Sequence, residues 1–188
     1  SKLILVSDGP RPSHPNDNRL NDECKKIVDD IDWECDVYHR YSDVNSGMYV
    51  TLYDAFKWVF SFVDRIIFLE DDVVPNQSFY RFCEELLTKY ENDKRVHTIC
   101  GMNHSGTYEK PQSDYFFSKA GSIWGFAIWK RTFEIFEYDI RFNEDKYAKD
   151  LLIKSYPKSI RKHIKNNIEF KRDRFLKAQM NGDFELVN

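Results

Sequence analysis

Three consecutive acids, Glu70-Asp71-Asp72, close a short apolar run, Asp64-Arg65-Ile66-Ile67-Phe68-Leu69, which continues into Val73-Val74-Pro75. The run has the length and composition of a buried strand, and Pro75 and Asn76 are turn signals. In an open α/β sheet, ligands bind beyond the carboxyl ends of the strands. The three carboxylates are therefore expected at the edge of a ligand crevice. In an extended chain Glu70 and Asp72 point to one side and Asp71 to the other. Adjacent carboxylates repel, and burial disfavours their charged form. A divalent cation removes that cost and can bridge to a phosphate-bearing ligand. A plainer role stands beside this one. Acids before a helix are favoured by its dipole and can cap its first turn. The stretch from Gln77 to Leu87 has the pattern of such a helix. Taken alone, the segment leaves both roles open.

Other residues invite the same double reading. Asp8-Gly9-Pro10-Arg11 follows the first apolar run. Asp8 could accept from a base N–H or a ribose hydroxyl, and Arg11 could pair with a phosphate; an ordinary Asp-Gly-Pro turn would look alike. Asn45-Ser46-Gly47 precedes a helical stretch, where small polar residues make an anion site or simply a cap. Trp124-Gly125 and Trp129, with Ser118, Lys119 and Ser122 nearby, could form a stacking wall for a sugar or base, or could be core. The basic stretch from Lys158 to Lys177 could meet an anionic membrane surface or an acidic acceptor. Asp150, Glu169 and Asp173 dilute it, as on a solvated helix face. His97 reads as structural, and His104 as a weak site candidate on a loop.

These residues need a scaffold. The 188-residue chain is 41% hydrophobic and 16% aromatic, enough for one packed domain rather than disorder. A net charge of −3 gives no basic field for nucleic acid. Cys24, Cys35, Cys83 and Cys100 lack metal-ligand spacing and fit a reducing compartment. With no leader or membrane span in view, the expected location is cytoplasmic, with peripheral contact at the inner face of a membrane. Strands are expected at Lys2 to Ser7, buried, at Trp33 to Tyr41, before Glu70, and at Val96 to Cys100. Helices are expected between them, the first from Asn18 to Ile31 with Leu20, Cys24, Ile27 and Val28 on one face. This is the α/β alternation of a doubly wound sheet. After Gly101 the pattern changes: Tyr115 to Ser118 suggests a short strand, and Arg131 opens a helix. From Lys146 onward the chain is basic and helical, with a helix start at Ser155-Tyr156-Pro157.

Ser7-Asp8-Gly9-Pro10-Arg11, Phe68-Leu69-Glu70-Asp71-Asp72-Val73-Val74-Pro75, and Tyr115-Phe116-Phe117 followed by Ile123-Trp124-Gly125 occur in one order. That order resembles the GT-A glycosyltransferases, chiefly small bacterial family-2-like sugar transferases of surface polysaccharide synthesis, and more distantly N-acetylglucosaminyltransferase I. The resemblance covers residues 1 to about 145 and implies a Rossmann-like mixed sheet with flanking helices. It implies that Asp72 holds Mn²⁺ or Mg²⁺ and that Glu70 and Asp71 contact ribose or donor sugar. It further implies that Asp8, with Arg11, Asn45 and Gly47, binds the donor nucleotide, and that Trp124-Gly125 lines the acceptor side. The chain departs from the family in lacking a preceding strand and helix. A base for an inverting transfer has no clear place; Glu144, Asp145, Asp183 and Glu185 are candidates.

The expected function is thus transfer of a sugar from a nucleotide-diphosphate donor to a glycan or lipid-linked hydroxyl acceptor, in polysaccharide biosynthesis. A nucleotidyltransferase and a non-catalytic nucleotide-sugar-binding module are the alternatives. Residues 1–101 are expected to bind nucleotide sugar, and 102–188 to form the acceptor side and a helical end. The natural polypeptide is expected to be longer at both ends.

Overall fold

The computed structural model describes residues 1–28, 30–103, 113–119, 121–136 and 144–181, with side chains up to 171. The chain is mixed α/β, with small sheets and flanking helices. It divides into two compact units, residues 1–57 with 137–188, and residues 58–136. The change of sequence pattern at Gly101 falls inside the second unit.

In the first unit β1 (Lys2–Ser7) leads through α1 (Asp17–Ile27) to β2 (Asp36–Tyr41). The two strands pair in parallel, Lys2 opposite Asp36 and Ser7 opposite Tyr41. Helix α2 (Met48–Val59) follows and runs into the second unit. Two expectations are corrected here. No residue of β1 is buried; the strand is half-covered. Leu20, Cys24 and Ile27 do share a helical face, yet that face is exposed, Ile27 at 74%. Periodicity fixed which residues lie together, but no described element covers them. Later in this unit, α5 (Lys146–Ser155), a short 3₁₀ turn (Lys158–Ile160) and α6 (Arg161–Asn181) follow in order. Lys149 reaches Glu169 across α5 and α6 at 3.9 Å.

The second unit holds the core. Strand β3 (Arg65–Phe68) precedes α3 (Gln77–Lys89), β4 (Thr98–Cys100), β5 (Phe126–Trp129) and α4 (Lys130–Glu134). The sheet order is β3-β5-β4, with β5 antiparallel to both neighbours. Among the described residues the sheets are therefore two, one parallel pair and one antiparallel triplet, where the alternation suggested a single wound sheet. Helix α3 places Phe79, Cys83, Leu86 and Leu87 on one stripe, the i, i+4, i+7, i+8 spacing of a core face. They pack with Ile99 of β4 and with Ala127 and Trp129 of β5. The indole N–H of Trp129 donates to the Leu87 carbonyl at 3.1 Å, satisfying the one polar atom it buries. Burial of Cys83 pushes its thiol up to about 12, so it is an inert core residue. Tyr115 to Ser118, expected as a short strand, is not one; its rings cluster against the end of α3 instead. No helix among the described residues is long and apolar enough to cross a membrane.

Candidate functional site

Strand β3 ends at Phe68, and the acids follow within four residues. The Val73 N–H donates to the Glu70 carbonyl at 3.1 Å, closing a turn over Glu70 to Val73. The side-to-side alternation expected of an extended chain therefore stops before it reaches the acids. Glu70 is half-buried, while Asp71 and Asp72 are exposed on the turn. The helix-capping role falls to another residue: Asn76, in an extended conformation, accepts from the Ser78 N–H.

The register of the triplet sheet decides what faces this turn. Phe68 of β3 and Cys100 of β4 both stand opposite Phe126, the first residue of β5. Because β5 runs antiparallel, its entry lies at the ends of β3 and β4. Trp124-Gly125, Glu70-Asp71-Asp72 and Gly101 thus meet at one sheet edge. Gly125 has φ +69°, and its carbonyl accepts from the Gly101 N–H at 3.0 Å. A Cβ at Gly125 would lie 3.4 Å from Leu69 and 3.7 Å from Val73, the two flanks of the acidic turn. Trp124 is 53% exposed beside this edge, and its N–H donates to the Ser122 hydroxyl at 3.2 Å. Of the two tryptophans, Trp129 is core and leaves the stacking role to Trp124.

The first unit carries a second constellation at the carboxyl ends of β1 and β2. Asp8 Oδ1 accepts from the Gly9 and Ser46 N–H groups, both at 2.9 Å. Asp8 Oδ2 accepts from Asn45 Nδ2 at 3.1 Å, and the same amide reaches the Gly9 carbonyl at 2.8 Å. Asn21 of α1 donates to the Asp8 carbonyl at 3.0 Å. Asp8 thus fastens the loop after β1 to the loop after β2. Gly9 is required by close approach: a Cβ there would stand 2.3 Å from the Val44 carbonyl carbon. Gly47, with φ +78°, turns the chain into α2. A cleft of about 70 Å³ lies against this knot, lined by Ser7, Arg40, Ser42, Ser46, Thr51 and Asp54. The cleft is small, and two of its hydroxyls are spent inside the fold, Ser7 on Asn21 and Ser42 on the Val44 carbonyl; sequence reasoning passed over Arg40, Thr51 and Asp54. Their signal was position, at the end of β2 and one and two turns into α2 after Asn45-Ser46-Gly47.

The remaining candidates are placed as follows. Arg11 grips Asp17 in a fork, Nε to Oδ2 at 2.7 Å and Nη2 to Oδ1 at 3.1 Å. The Arg11 guanidinium holds the Asp17 carboxyl down at about 2. Asp145 is the N-cap of α5, its Oδ1 accepting from the Tyr147 and Ala148 N–H groups. Glu144 is exposed next to it. His104, Asp183 and Glu185 lie outside the described residues.

Among the described residues, no three or more His, Cys, Asp or Glu side chains gather as a metal-holding group. The chemistry of the acidic turn nonetheless fits a hard divalent cation of the Mg²⁺ or Mn²⁺ type. Such an ion usually takes one or two protein carboxylates and completes its shell with water and ligand phosphates. Two exposed carboxylates in sequence supply that partial set. Comparison with family models, with curated proteins and with solved structures gives no match.

Proposed function

We propose that this chain is a metal-dependent glycosyltransferase of the GT-A type, transferring a sugar from a nucleotide-diphosphate donor to a hydroxyl acceptor in surface-glycan synthesis. The observation that supports it best is the β3-β5-β4 register, which brings the acidic turn and Trp124-Gly125 to one sheet edge. Carboxylates for a cation and a half-exposed indole for a sugar face are the two recognition elements such a transfer needs.

In this proposal Asp72 holds Mn²⁺ or Mg²⁺, and Asp71 beside it contacts the ribose or donor sugar. The ion would supply positive charge against the leaving diphosphate. Glu70, half-buried behind the turn, accepts from a ribose or sugar hydroxyl. Trp124 presents its ring to the sugar face, and the Gly125 backbone leaves room beside it. In the first unit, taken by itself, Asp8, Asn45 and Gly47 are the proposed nucleotide contacts, on the loops that follow β1 and β2. Arg11 would have to leave Asp17 to meet a phosphate. An inverting displacement needs a carboxylate base at the acceptor hydroxyl. Glu144 and Asp145 are the described candidates, and Asp145 would have to release two amides to serve. The acceptor is a glycan or a lipid-linked sugar.

The test is a thermal-shift and calorimetric screen of the chain with uridine, guanosine and cytidine diphosphates, with and without Mn²⁺. One diphosphate should bind more tightly with Mn²⁺, and Asp72→Asn should remove that gain while the melting temperature without ligand stays the same. A Mn²⁺ gain that survives in Asp72→Asn refutes the assignment. Metal-dependent binding with no turnover of any nucleotide sugar would favour the non-catalytic binding module.

A further inference from the structure

The C-terminal end of α3 gathers three titratable side chains that the acidic turn does not use. Lys89 Nζ donates to Tyr115 Oη at 2.7 Å, and Tyr90 Oη lies 2.7 Å from the same oxygen. The ammonium also stands over both phenol rings, 5.4 Å from the Tyr90 centroid and 5.3 Å from that of Tyr115. Phe82, Tyr90 and Phe117 meet the Tyr115 ring edge to face, which fixes its orientation. Ser113 donates its hydroxyl to the Tyr115 carbonyl.

An ammonium can donate and cannot accept. The Tyr115 oxygen therefore accepts from Lys89 in every state. When Tyr115 is neutral, one phenol of the pair must donate to the other. When Tyr115 is ionised, both Lys89 and Tyr90 donate to it, and both bonds become charge-assisted. The arrangement is thus better matched to the phenolate of Tyr115 than to the phenol. We propose that Tyr115 is a nucleophilic phenol, a modification site for sulfonyl electrophiles, created where Lys89 Nζ and Tyr90 Oη converge on its oxygen.

The two phenols separate accordingly. Tyr115 is lowered, first by the hydrogen bond from Lys89 and then by that from Tyr90. Tyr90 is raised, first by its bond to Tyr115 and then by burial. Burial of Tyr115 and, to a smaller extent, Asp114 on the loop beside it oppose the shift and do not overcome it. Arg131, from α4, spends its guanidinium on the backbone carbonyls of Tyr90, Glu91 and Asp93. In the modification step the phenolic proton passes to buffer. Tyr115 Oη then bonds to the sulfur of an aryl sulfonyl fluoride, and the S–F bond breaks with fluoride taking the electron pair. The product is a sulfonate ester, and nothing is oxidised or reduced. The site stands apart from the transferase proposal, so either can fail without the other.

The experiment is labelling of the full chain with an aryl sulfonyl fluoride at pH 8, with each tyrosine quantified by peptide mass spectrometry. Tyr147, 77% exposed, is the internal reference. Tyr115 should label about tenfold faster than Tyr147, a factor within reach of one charge-assisted hydrogen bond. Lys89→Met should bring Tyr115 down to the Tyr147 rate, and Lys89→Arg should keep most of the difference. Tyr90→Phe should fall between. Absorbance titration at 295 nm should show one early-ionising tyrosine that Tyr115→Phe removes. Equal rates at Tyr115 and Tyr147, unchanged labelling in Lys89→Met, or attachment to Lys89 instead would each overturn the proposal. Should Lys89→Met melt early, the Lys89→Arg and Tyr90→Phe variants carry the same decision.

Discussion

Replacing Gly125 by alanine separates backbone strain from crowding at the sheet edge. At φ +69° an L side chain pays the left-handed penalty, about 1–2 kcal/mol. Crowding adds little, because the new Cβ would sit 3.4 Å from Leu69, 3.5 Å from the Phe79 ring and 3.7 Å from Val73, all ordinary contacts. The expected loss is therefore about 1–2 kcal/mol, or a fall in Tm of about 2–8 °C for a chain of this size. Gly101→Ala is the informative contrast. Its Cβ would stand 2.5 Å from the Phe79 ring, so the ring must move, at about 1–3 kcal/mol for overpacking. Urea melts of both variants give the magnitudes. Amide exchange at Gly101, whose N–H donates to the Gly125 carbonyl, gives the location. Gly125→Asn should lose less than Gly125→Ala, since asparagine tolerates the left-handed region better. A Gly125→Ala variant within 0.5 kcal/mol of the parent, a spread of about the size seen for neutral surface changes, would refute the strain argument. The acidic turn would then not depend on that backbone geometry.

Two further predictions concern side chains with competing roles. Asp145→Ala should cost about 1 kcal/mol through the lost cap of α5, with faster exchange at Tyr147 and Ala148. Asp145→Asn should restore the cap, so transferase activity lost in the Asn variant at unchanged stability would mark Asp145 as the base. For Asp17 the folded carboxyl lies near 2, below its unfolded value of about 3.9. Its contribution is present above the unfolded value and is lost as pH falls through the folded one. The acid limb of the parent's stability curve should therefore be steeper than that of Asp17→Asn between about pH 4 and 2. Parallel limbs would mean that the Arg11 fork adds nothing to folding.

Much of the scaffold was legible because it is written locally. Leu3-Ile4-Leu5-Val6 ends at a polar turn, and the strand ends there too. The stripe Phe79, Cys83, Leu86, Leu87 follows from helical spacing alone. What stayed hidden depends on partners distant in sequence. The run Phe126 to Trp129 reads as aromatic and Gly-punctuated, and nothing in it reveals a central strand, because its neighbours lie some 30 and 60 residues upstream. The fate of Trp129 follows from that pairing: it shares a face with Ala127 and points to α3. At the acids, residue type was readable, but the turn at Glu70 was not, so their sides could not be assigned. Tyr115-Phe116-Phe117 has strand-like composition, yet ring packing against Phe82 and Tyr90 uses the same residues without a ladder. For α1, periodicity showed which residues share a face and could not show whether anything covers it.

The middle position of β5 also carries a consequence for synthesis. Strands β3 and β4 share no hydrogen-bonded edge; each pairs with β5. A chain emerging from the ribosome therefore presents both before the strand that joins them exists. Until Trp129 has cleared the exit tunnel, α3 is the longest element of this unit available to shelter their apolar residues. The acidic turn and Trp124-Gly125 cannot meet before that moment either. The sheet and the proposed site thus come into being in one late step, set by the order in which the residues are translated.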